Sequence, residues 1–370
     1  MNQIYDTQKE LKKQDLAHLF AQDRRALERE LEKSGVIRRK RKLKSYGTLL
    51  RATWLFLIRQ LSFRRLAHEM EVMYGVRMSA NAWKKQLSKF AQPCWEAVQR
   101  LMSRKADSTH QHQTIVMDAT HFSMEGSNPQ TFRVHTTLSL DPRLPDQFIL
   151  TNCRVAESVR NFTLHPGCCY LADRAYGNAS QMAYLIEQHA DFIFRISPSR
   201  IKLFSDLECR QRIDYQTLLS ETAFSIRCFF TYRSRSYPIQ LSGSMLPPEK
   251  QEAARQRANK ISHRKQNKTR PQTLFYANWL LLASSLPQRN DNVFEIYRQR
   301  WQIELFFKTA KSLLNFHKLR RCSLCWAKKL LLIWIACLSS IAALCISARR
   351  YFPDSASFFL VFDAVSALFS

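Results

Sequence analysis

The spacing of apolar and polar residues changes along the chain and divides it into segments of different predicted structure. Residues 1–110 follow a helical period, with leucines at helical spacing among charged residues. From Thr114 the pattern becomes that of short β-strands. The predicted elements are strands at 114–117, 131–140, 147–151, 168–172 and 192–196, with a helix at 181–189 before the last of them. This order predicts an α/β fold behind a helical N-terminal domain.

The α/β order is interrupted between residues 198 and 272. This stretch contains β-rich pieces at 223–232 and 237–243 and a polar, basic stretch at 249–270, which from the pattern alone is an irregular loop with a hairpin. Sheet order resumes at 273–282, and a helix is predicted from Asn292 to Leu314. The order of strands and helices on either side of this stretch is that of a ribonuclease-H-like α/β sheet.

Residues 62–90 have the pattern of a helix-turn-helix unit. Ser62 and Ser79 can cap two helices, and Gly75 breaks the chain between them. Lys84 and Lys85 would lie on the second helix, which is the one that reads DNA in such units. An ordinary helical hairpin fits the same pattern. Residues 38–44, six of them cationic, form either a solvated segment or a strip that follows a phosphate backbone.

The predicted helix near the C-terminus carries a narrow polar edge. Tyr297, Arg300, Glu304 and Lys311 fall within a stripe about 60° wide on a helix of about 100° per residue, while the other faces are apolar. An amphipathic helix with a solvated edge is the simpler interpretation. A carboxylate between Arg and Lys also suits a site where a metal ion and a phosphate backbone meet.

These four residues stand at the spacing of the YREK signature, and the chain resembles the insertion-sequence 4 family of bacterial DDE transposases. The similarity extends, more thinly, from Thr114 to His317. The resemblance implies a transposase that binds terminal inverted repeats and catalyses metal-dependent DNA strand cleavage and strand transfer of the cut-and-paste type. It also implies that the interruption is a mostly β insertion. The predicted divisions are 1–110 (helical, DNA-binding), 111–197 (catalytic, first part), 198–272 (β-rich insertion) and 273–370 (catalytic, second part, with buried C-terminal helices).

Asp118 and Asp173 each end an apolar run that is predicted to be a strand. Groups just past the carboxyl ends of parallel strands converge, although Asp also ends strands as a simple turn former. Together with Glu304 they would form a set of carboxylates that needs cations, and we expect two Mg²⁺ (or Mn²⁺) ions. The resemblance places the three residues at the DDE positions. In the family's Asp-Arg-Gly-Tyr motif the glycine is replaced here by Ala175, and a glycine, Gly177, follows the tyrosine.

The resemblance also implies roles for residues that hold DNA. Tyr297, Arg300 and Lys311 match residues that contact the element end, and Arg174, next to Asp173, is a further phosphate candidate. Trp279 matches a position at which a tryptophan stacks on a flipped base. A core tryptophan on a buried strand is the alternative interpretation of Trp279.

The charge of the chain is consistent with a nucleic acid partner. The net charge is +27, from 57 Lys+Arg and 30 Asp+Glu, and cations of this number favour polyphosphate. We expect double-stranded DNA (element ends and target) as the partner, a homodimer in the DNA complex, and no membrane. The 10 scattered Cys and the polar N-terminus fit reduced thiols in a cytoplasm, and we expect a cytoplasmic, nucleoid-associated protein.

Residues 330–348 contain no charge and are long enough for a transmembrane helix. Serines interrupt the segment, so we expect a buried helix; a membrane protein is the alternative. Two other functional alternatives remain open from the sequence. One is a DNA-binding remnant of a transposase without activity, and the other is a related ribonuclease-H-like nuclease.

Overall fold

The computed structural model describes residues 25–37, 42–106, 113–123, 132–140, 143–264, 266–286, 292–314 and 323–351. The N-terminal region is helical, as predicted, with α1 (Tyr46–Ile58), α2 (Phe63–Tyr74) and α3 (Ala80–Ala106). Most of the basic run at 38–44, and residues 1–24, lie outside the described residues.

The predicted caps of the second and third helices are confirmed. The Ser62 side chain accepts a hydrogen bond from the Arg65 amide, and Gly75 ends α2 in the left-handed conformation with φ 64°. Ser79 accepts from the Ala82 amide at 3.2 Å and starts α3. α3 is longer than predicted: it has 27 residues and continues through Pro93, because apolar residues beyond Phe90 are also buried.

An 8-stranded sheet in the order β3-β2-β1-β4-β5-β8-β7-β6 forms the centre of the described part of the chain. The strands are β1 (Thr114–Phe122), β2 (Phe132–Leu140), β3 (Arg143–Asn152), β4 (Cys169–Ala172), β5 (Asp191–Arg195), β6 (Ala223–Tyr232), β7 (Arg235–Met245) and β8 (Trp279–Ser284). β1, β4 and β5 are parallel, and the other pairs are antiparallel. The ribonuclease-H-like α/β fold is confirmed.

Seven further helices of the described residues follow the first three strands, and several of them cover the faces of this sheet. In chain order they are α4 (Ala179–Glu187), α5 (Tyr215–Leu218), α6 (Pro248–Arg264), α7 (Pro271–Ala277), α8 (Val293–Arg298), α9 (Trp301–Leu314) and α10 (Leu324–Tyr351). Side chains alternate between the faces of a strand. On β1, Ile115 and Met117 pack with α4 and the insertion, while Val116 packs with α8 and α9. The face under α8 and α9 is the one that carries the candidate site.

The predicted hairpin in the insertion is present, and it extends the central sheet. β6 pairs with β7, and β7 pairs with β8, with Met245 opposite Trp279. The strand predicted at 273–282 begins only at Trp279, because Pro271 starts a short helix, α7, which continues to Ala277. The polar stretch after β7 forms the helix α6.

The apolar segment near the C-terminus is part of α10. Residues 331–336 of α10 are buried, as predicted, and the helix packs mainly against α3 and β3. These residues share one core with α1, α2, α3 and the ends of β1, β2 and β3. Within the described residues, no helix has both the length and the apolar character needed to cross a membrane.

Candidate active site

Asp118 lies within β1, at the point where its pairing with β4 stops. β1 pairs with β2 as far as Phe122, whereas the parallel pairing with β4 ends at Val116 opposite Leu171. The prediction that the strand ends at Asp118 is therefore wrong, because the hydrogen bonds to β2 continue the strand. Asp118 still lies just past the parallel part of the strand, where an open edge leaves room for a ligand.

Asp173 directly follows β4, as predicted. Its Oδ1 accepts a hydrogen bond from the Ala175 amide at 2.8 Å, which fixes the turn after the strand. This turn lies tightly against β5, because a Cβ at Gly177 would clash with the carbonyl oxygen of Arg195. The glycine that this fold requires is therefore at position 177, and Ala175 is tolerated.

Asp118, Asp173 and Arg195 belong to three neighbouring strand ends and to one face of the sheet. The core beneath α8 and α9 includes Val116, Leu171 and Ile193. Each of the three polar residues follows one of these by two positions, and residues two apart point to the same face. The sheet therefore brings two carboxylates and one guanidinium together at one edge.

Glu304 reaches the same edge from α9, which packs across β1 and β2. The helix predicted from Asn292 to Leu314 is two helices, α8 and α9, joined by a turn at Gln299 and Arg300. The amides of these two residues each bond to the carbonyl three residues earlier, which tightens the turn. The single predicted polar edge is therefore divided between two helices.

An open groove of about 510 Å³ lies between β1 and α9. It is lined by Asp118, Ala119, Thr120, Glu304, Phe307, Lys308 and Lys311. Asp118 and Glu304 thus face the same space. The Glu304 carboxylate forms an ion pair with Arg300, one turn earlier, and the Glu304 side chain is 47% exposed.

The surroundings of Asp118 disfavour its charged form. The pKa of Asp118 is raised to about 7, mainly by burial and also by the nearby carboxylates of Asp173 and Glu157, against the opposing effects of a hydrogen bond from the Ala119 amide and of the charge of Arg300. Asp118 and Asp173 are therefore close enough to interact. A cation bound between them would restore the charged form of Asp118.

Glu157 is a carboxylate near the site that the sequence analysis missed. Burial raises its pKa, as does Asp173, and Arg133 lowers it from a distance of 3.9 Å between Nε and Oε1. Glu157 lies in the loop after β3, five residues beyond the end of that strand, so no apolar run ends directly before it. The strand-end pattern that identified Asp118 and Asp173 could therefore not find it.

Three arginines lie near Tyr297: Arg174, Arg195 and Arg300. Tyr297 is 8% exposed, and the Cζ of Arg300 lies 6.0 Å from the centre of its ring. Burial lowers the pKa of Arg174. Burial also lowers the pKa of Arg195 to about 10, and the charges of Arg174 and Arg300 act in the same direction. Arg195 was not predicted, although its place at the end of β5 is the signal that found Asp173 after β4.

Lys311 is held at the far end of the groove. Its Nζ donates to Thr120 Oγ1 at 2.6 Å and lies 5.8 Å from the centre of the Phe122 ring. Thr120 is two residues after Asp118 on the same face of β1. Lys311 therefore borders the space in front of Asp118, on the opposite side from Arg300.

The remaining predicted residues lie away from the groove. Trp279 is 2% exposed, in the core on the face under α4, with its ring 6.1 Å from that of Phe224. This buried position agrees with the core alternative, and a role for Trp279 in base stacking stays a prediction. Lys84 and Lys85 are exposed on α3.

The chemistry of the acidic edge fits a divalent cation. Its donors are carboxylate oxygens, which Mg²⁺ and similar ions prefer, and the pKa of Asp118 is raised mainly by burial and also by nearby carboxylates, both of which a bound cation would offset. Among the described residues, no group of three His, Cys, Asp or Glu side chains is arranged to hold an ion. Glu304, which is paired with Arg300, lines the groove together with Asp118.

Comparison with known proteins is consistent with this geometry. A putative transposase of insertion sequence element IS186A from Escherichia coli is 26% identical over 329 residues, which cover 82% of this chain and 86% of that protein. The transposase of insertion sequence element IS421, also from Escherichia coli, is 27% identical over 224 residues, 55% of this chain and 58% of that protein. The profile of the transposase DDE domain matches residues 109–341, well over half of the chain. The chain therefore belongs to the transposase DDE domain family and is a DDE transposase, an enzyme that cleaves and transfers DNA strands.

Proposed function

We propose that this DDE transposase is encoded by a bacterial insertion sequence of the insertion-sequence 4 family and moves it by cut-and-paste transposition. It would cleave DNA at terminal inverted repeats and join the ends to a target. The observation that carries the proposal is the placement of Asp118 and Asp173 at one edge and face of the sheet, across a groove from Glu304. The names of the two relatives, both from insertion sequences, support it.

Asp118, Asp173 and Glu304 are the residues proposed to hold two Mg²⁺ or Mn²⁺ ions. When bound, such ions activate a water or a 3′-hydroxyl and stabilise the leaving oxygen in displacement at phosphorus. The ion pair with Arg300 holds the Oε1 atom of Glu304 and so competes with metal binding. A DNA phosphate is the natural new partner for Arg300, since guanidinium groups bind phosphate oxygens in pairs. DNA binding would therefore free Glu304.

The basic groups around the groove would hold the DNA strand. Arg300 and Arg174, with Arg195, would bind phosphates on the Tyr297 side, and Lys311 would bind one beyond Asp118. Arg195 is partly buried at the end of β5, and burial lowers its pKa, while Arg174 is exposed beside it. A phosphate in their midst would offset the repulsion between these cations. The four YREK residues thus act from both ends of one groove.

The N-terminal helices are proposed to recognise the element ends. Lys84 and Lys85 are exposed on α3, next to the confirmed turn at Gly75. These helices share a core with α10 and with β1, β2 and β3, so deleting them would uncover that core. Point substitutions are therefore the appropriate test of recognition. A homodimer in the DNA complex, a cytoplasmic, nucleoid-associated location and the predicted domain boundaries are further parts of the proposal.

Strand nicking on a labelled element end, with Mg²⁺, tests the proposal. We expect Asp118→Asn, Asp173→Asn and Glu304→Gln each to slow nicking by roughly a thousandfold, about 4 kcal/mol in the barrier. Each variant should bind DNA at least as tightly as the parent, because one anionic group is removed. Glu295→Gln, which changes an exposed carboxylate on α8, is the matched control and should nick normally.

The binding of Mn²⁺, measured by electron paramagnetic resonance in the DNA complex, gives a second signal that does not depend on activity. The three site variants should lose bound Mn²⁺, and Glu295→Gln should not. Metal-dependent nicking that survives Glu304→Gln would overturn the assignment of that residue. A parent protein that binds the ends and never nicks them would be an inactive remnant, and one that cuts DNA without regard to the ends would be a nuclease.

A further inference from the structure

The helix α6 leaves the sheet at the same edge as the acidic residues. β8 is antiparallel to β5, and β7 is antiparallel to β8. The last residue of β7, Met245, and the first of β8, Trp279, therefore lie at the edge where β4 and β5 end. α6 begins three residues after Met245 and is tied to this edge by two hydrogen bonds, from Leu246 N to Asn278 O at 2.8 Å and from Gln251 Nε2 to Leu246 O at 2.6 Å.

α6 is a helix of 17 residues in which none is buried. It packs against the short helix α7. Most helices in proteins are stabilised by burying an apolar face, and a helix that is polar all round commonly bridges to a second component. α6 therefore lacks the usual structural reason for its length.

The charge of α6 is concentrated on one side. Its cations are Lys250, Arg255, Arg257, Lys260 and Arg264, and its acids are Glu249 and Glu252, so five minus two gives a net charge of +3. Arg255 is paired with Glu252 at 3.1 Å. The other four cations are all exposed and fall within a stripe about 80° wide at about 100° per residue. We call these four residues the α6 cationic stripe.

Helix electrostatics do not explain this stripe. Cations at the last turn complement the helix dipole, which accounts for Arg264. Lys250 lies in the first turn, where a cation opposes the dipole. Within the described residues, the four members of the stripe form no ion pair with a carboxylate. The stripe is thus an uncompensated line of positive charge.

We propose that the α6 cationic stripe binds the phosphate backbone of duplex DNA that extends beyond the cleaved bond. The proposal rests on the proposed function, and it adds a contact surface outside the groove. From Lys250 to Arg264 the helix rises by about 21 Å, at about 1.5 Å per residue. Along the axis of duplex DNA, each strand has a phosphate about every 3.4 Å, so the stripe is as long as about six base pairs measured along that axis.

The test measures how the affinity for a random-sequence duplex depends on salt. In one variant the four stripe residues are changed to Gln, which keeps helix propensity. Four lost phosphate contacts should reduce the slope of log K against log salt by about 3.6. The matched control changes four exposed arginines near the β6–β7 turn, at the opposite edge, to Gln: Arg210, Arg212, Arg233 and Arg235. Its slope should stay near that of the parent.

Two further measurements make the result decisive. Lys250→Arg with Lys260→Arg keeps the charge and should keep the slope. Nicking at saturating DNA should survive in the stripe variant. If the proposed function is wrong, the parent itself will fail to nick, whereas if only the stripe proposal is wrong, the salt slope of the stripe variant will be unchanged. An equal loss of slope in the control would show that only net charge matters and would overturn the proposal. An unchanged slope together with a change in oligomeric state would assign the stripe to contact with a second copy of the chain.

Discussion

A fall in pH should destabilise the sheet through His135, which is completely buried in β2. Its register partner on β1 is Ala119, next to Asp118. Its Nε2 lies 2.9 Å from Thr151 Oγ1. Burial lowers the pKa of His135 from 6.5 to about 4, and the charges of Arg133 and His121 act in the same direction. The neutral ring is therefore the form that the fold accepts.

The sign of the effect follows from the two pKa values. In the unfolded chain the imidazole takes up a proton near pH 6.5, and in the folded chain only near pH 4. Protonation favours the unfolded state, so stability is lost as the pH falls through this window. At about pH 5 the free energy of unfolding is lower by about 2 kcal/mol than it would be with an unshifted histidine. This figure is RT times the natural logarithm of the ratio between the proton-binding factors of the unfolded and the folded state.

His135→Gln isolates this contribution, because glutamine keeps a hydrogen-bonding group for Thr151 and does not titrate. The free energy of unfolding should be measured by urea denaturation at about pH 7.5 and about pH 5. We expect the parent to lose about 2 kcal/mol more than His135→Gln between the two conditions. His263→Gln, an exposed histidine in the last turn of α6, is the control and should behave as the parent. Equal losses in the parent and in His135→Gln would refute the reasoning.

Two substitutions test the surroundings of the site. Gly177→Ala places a Cβ against the carbonyl oxygen of Arg195, so we expect a loss of about 1–3 kcal/mol in the free energy of unfolding and slower nicking; unchanged values for both would show that the turn yields freely. Trp279→Phe should cost about 1–2 kcal/mol, seen as a lower melting temperature, with normal nicking, because the ring is 2% exposed. Loss of a reaction product at unchanged stability would instead support a role for Trp279 in base stacking.

The sequence by itself determined the features that depend on neighbouring residues. The caps at Ser62, Gly75 and Ser79 were predicted correctly, because each cap involves a side chain and amides within a few positions. The period of apolar residues predicted the strands and also the buried part of α10. Asp173 was placed correctly after β4, since a short apolar run ends there.

Tertiary structure decided the features that depend on pairing between distant segments. Asp118 lies within its strand because β2 pairs with β1 beyond that residue, although β4 does not. The predicted helix from Asn292 to Leu314 is divided by a turn at Gln299 and Arg300. Glu157 and Arg195 join the site only because the sheet brings their segments beside Asp173. The physical reason is that apolar periodicity specifies which face of an element is buried, whereas strand order and register specify which distant residues meet, and these are set by packing over the whole sheet.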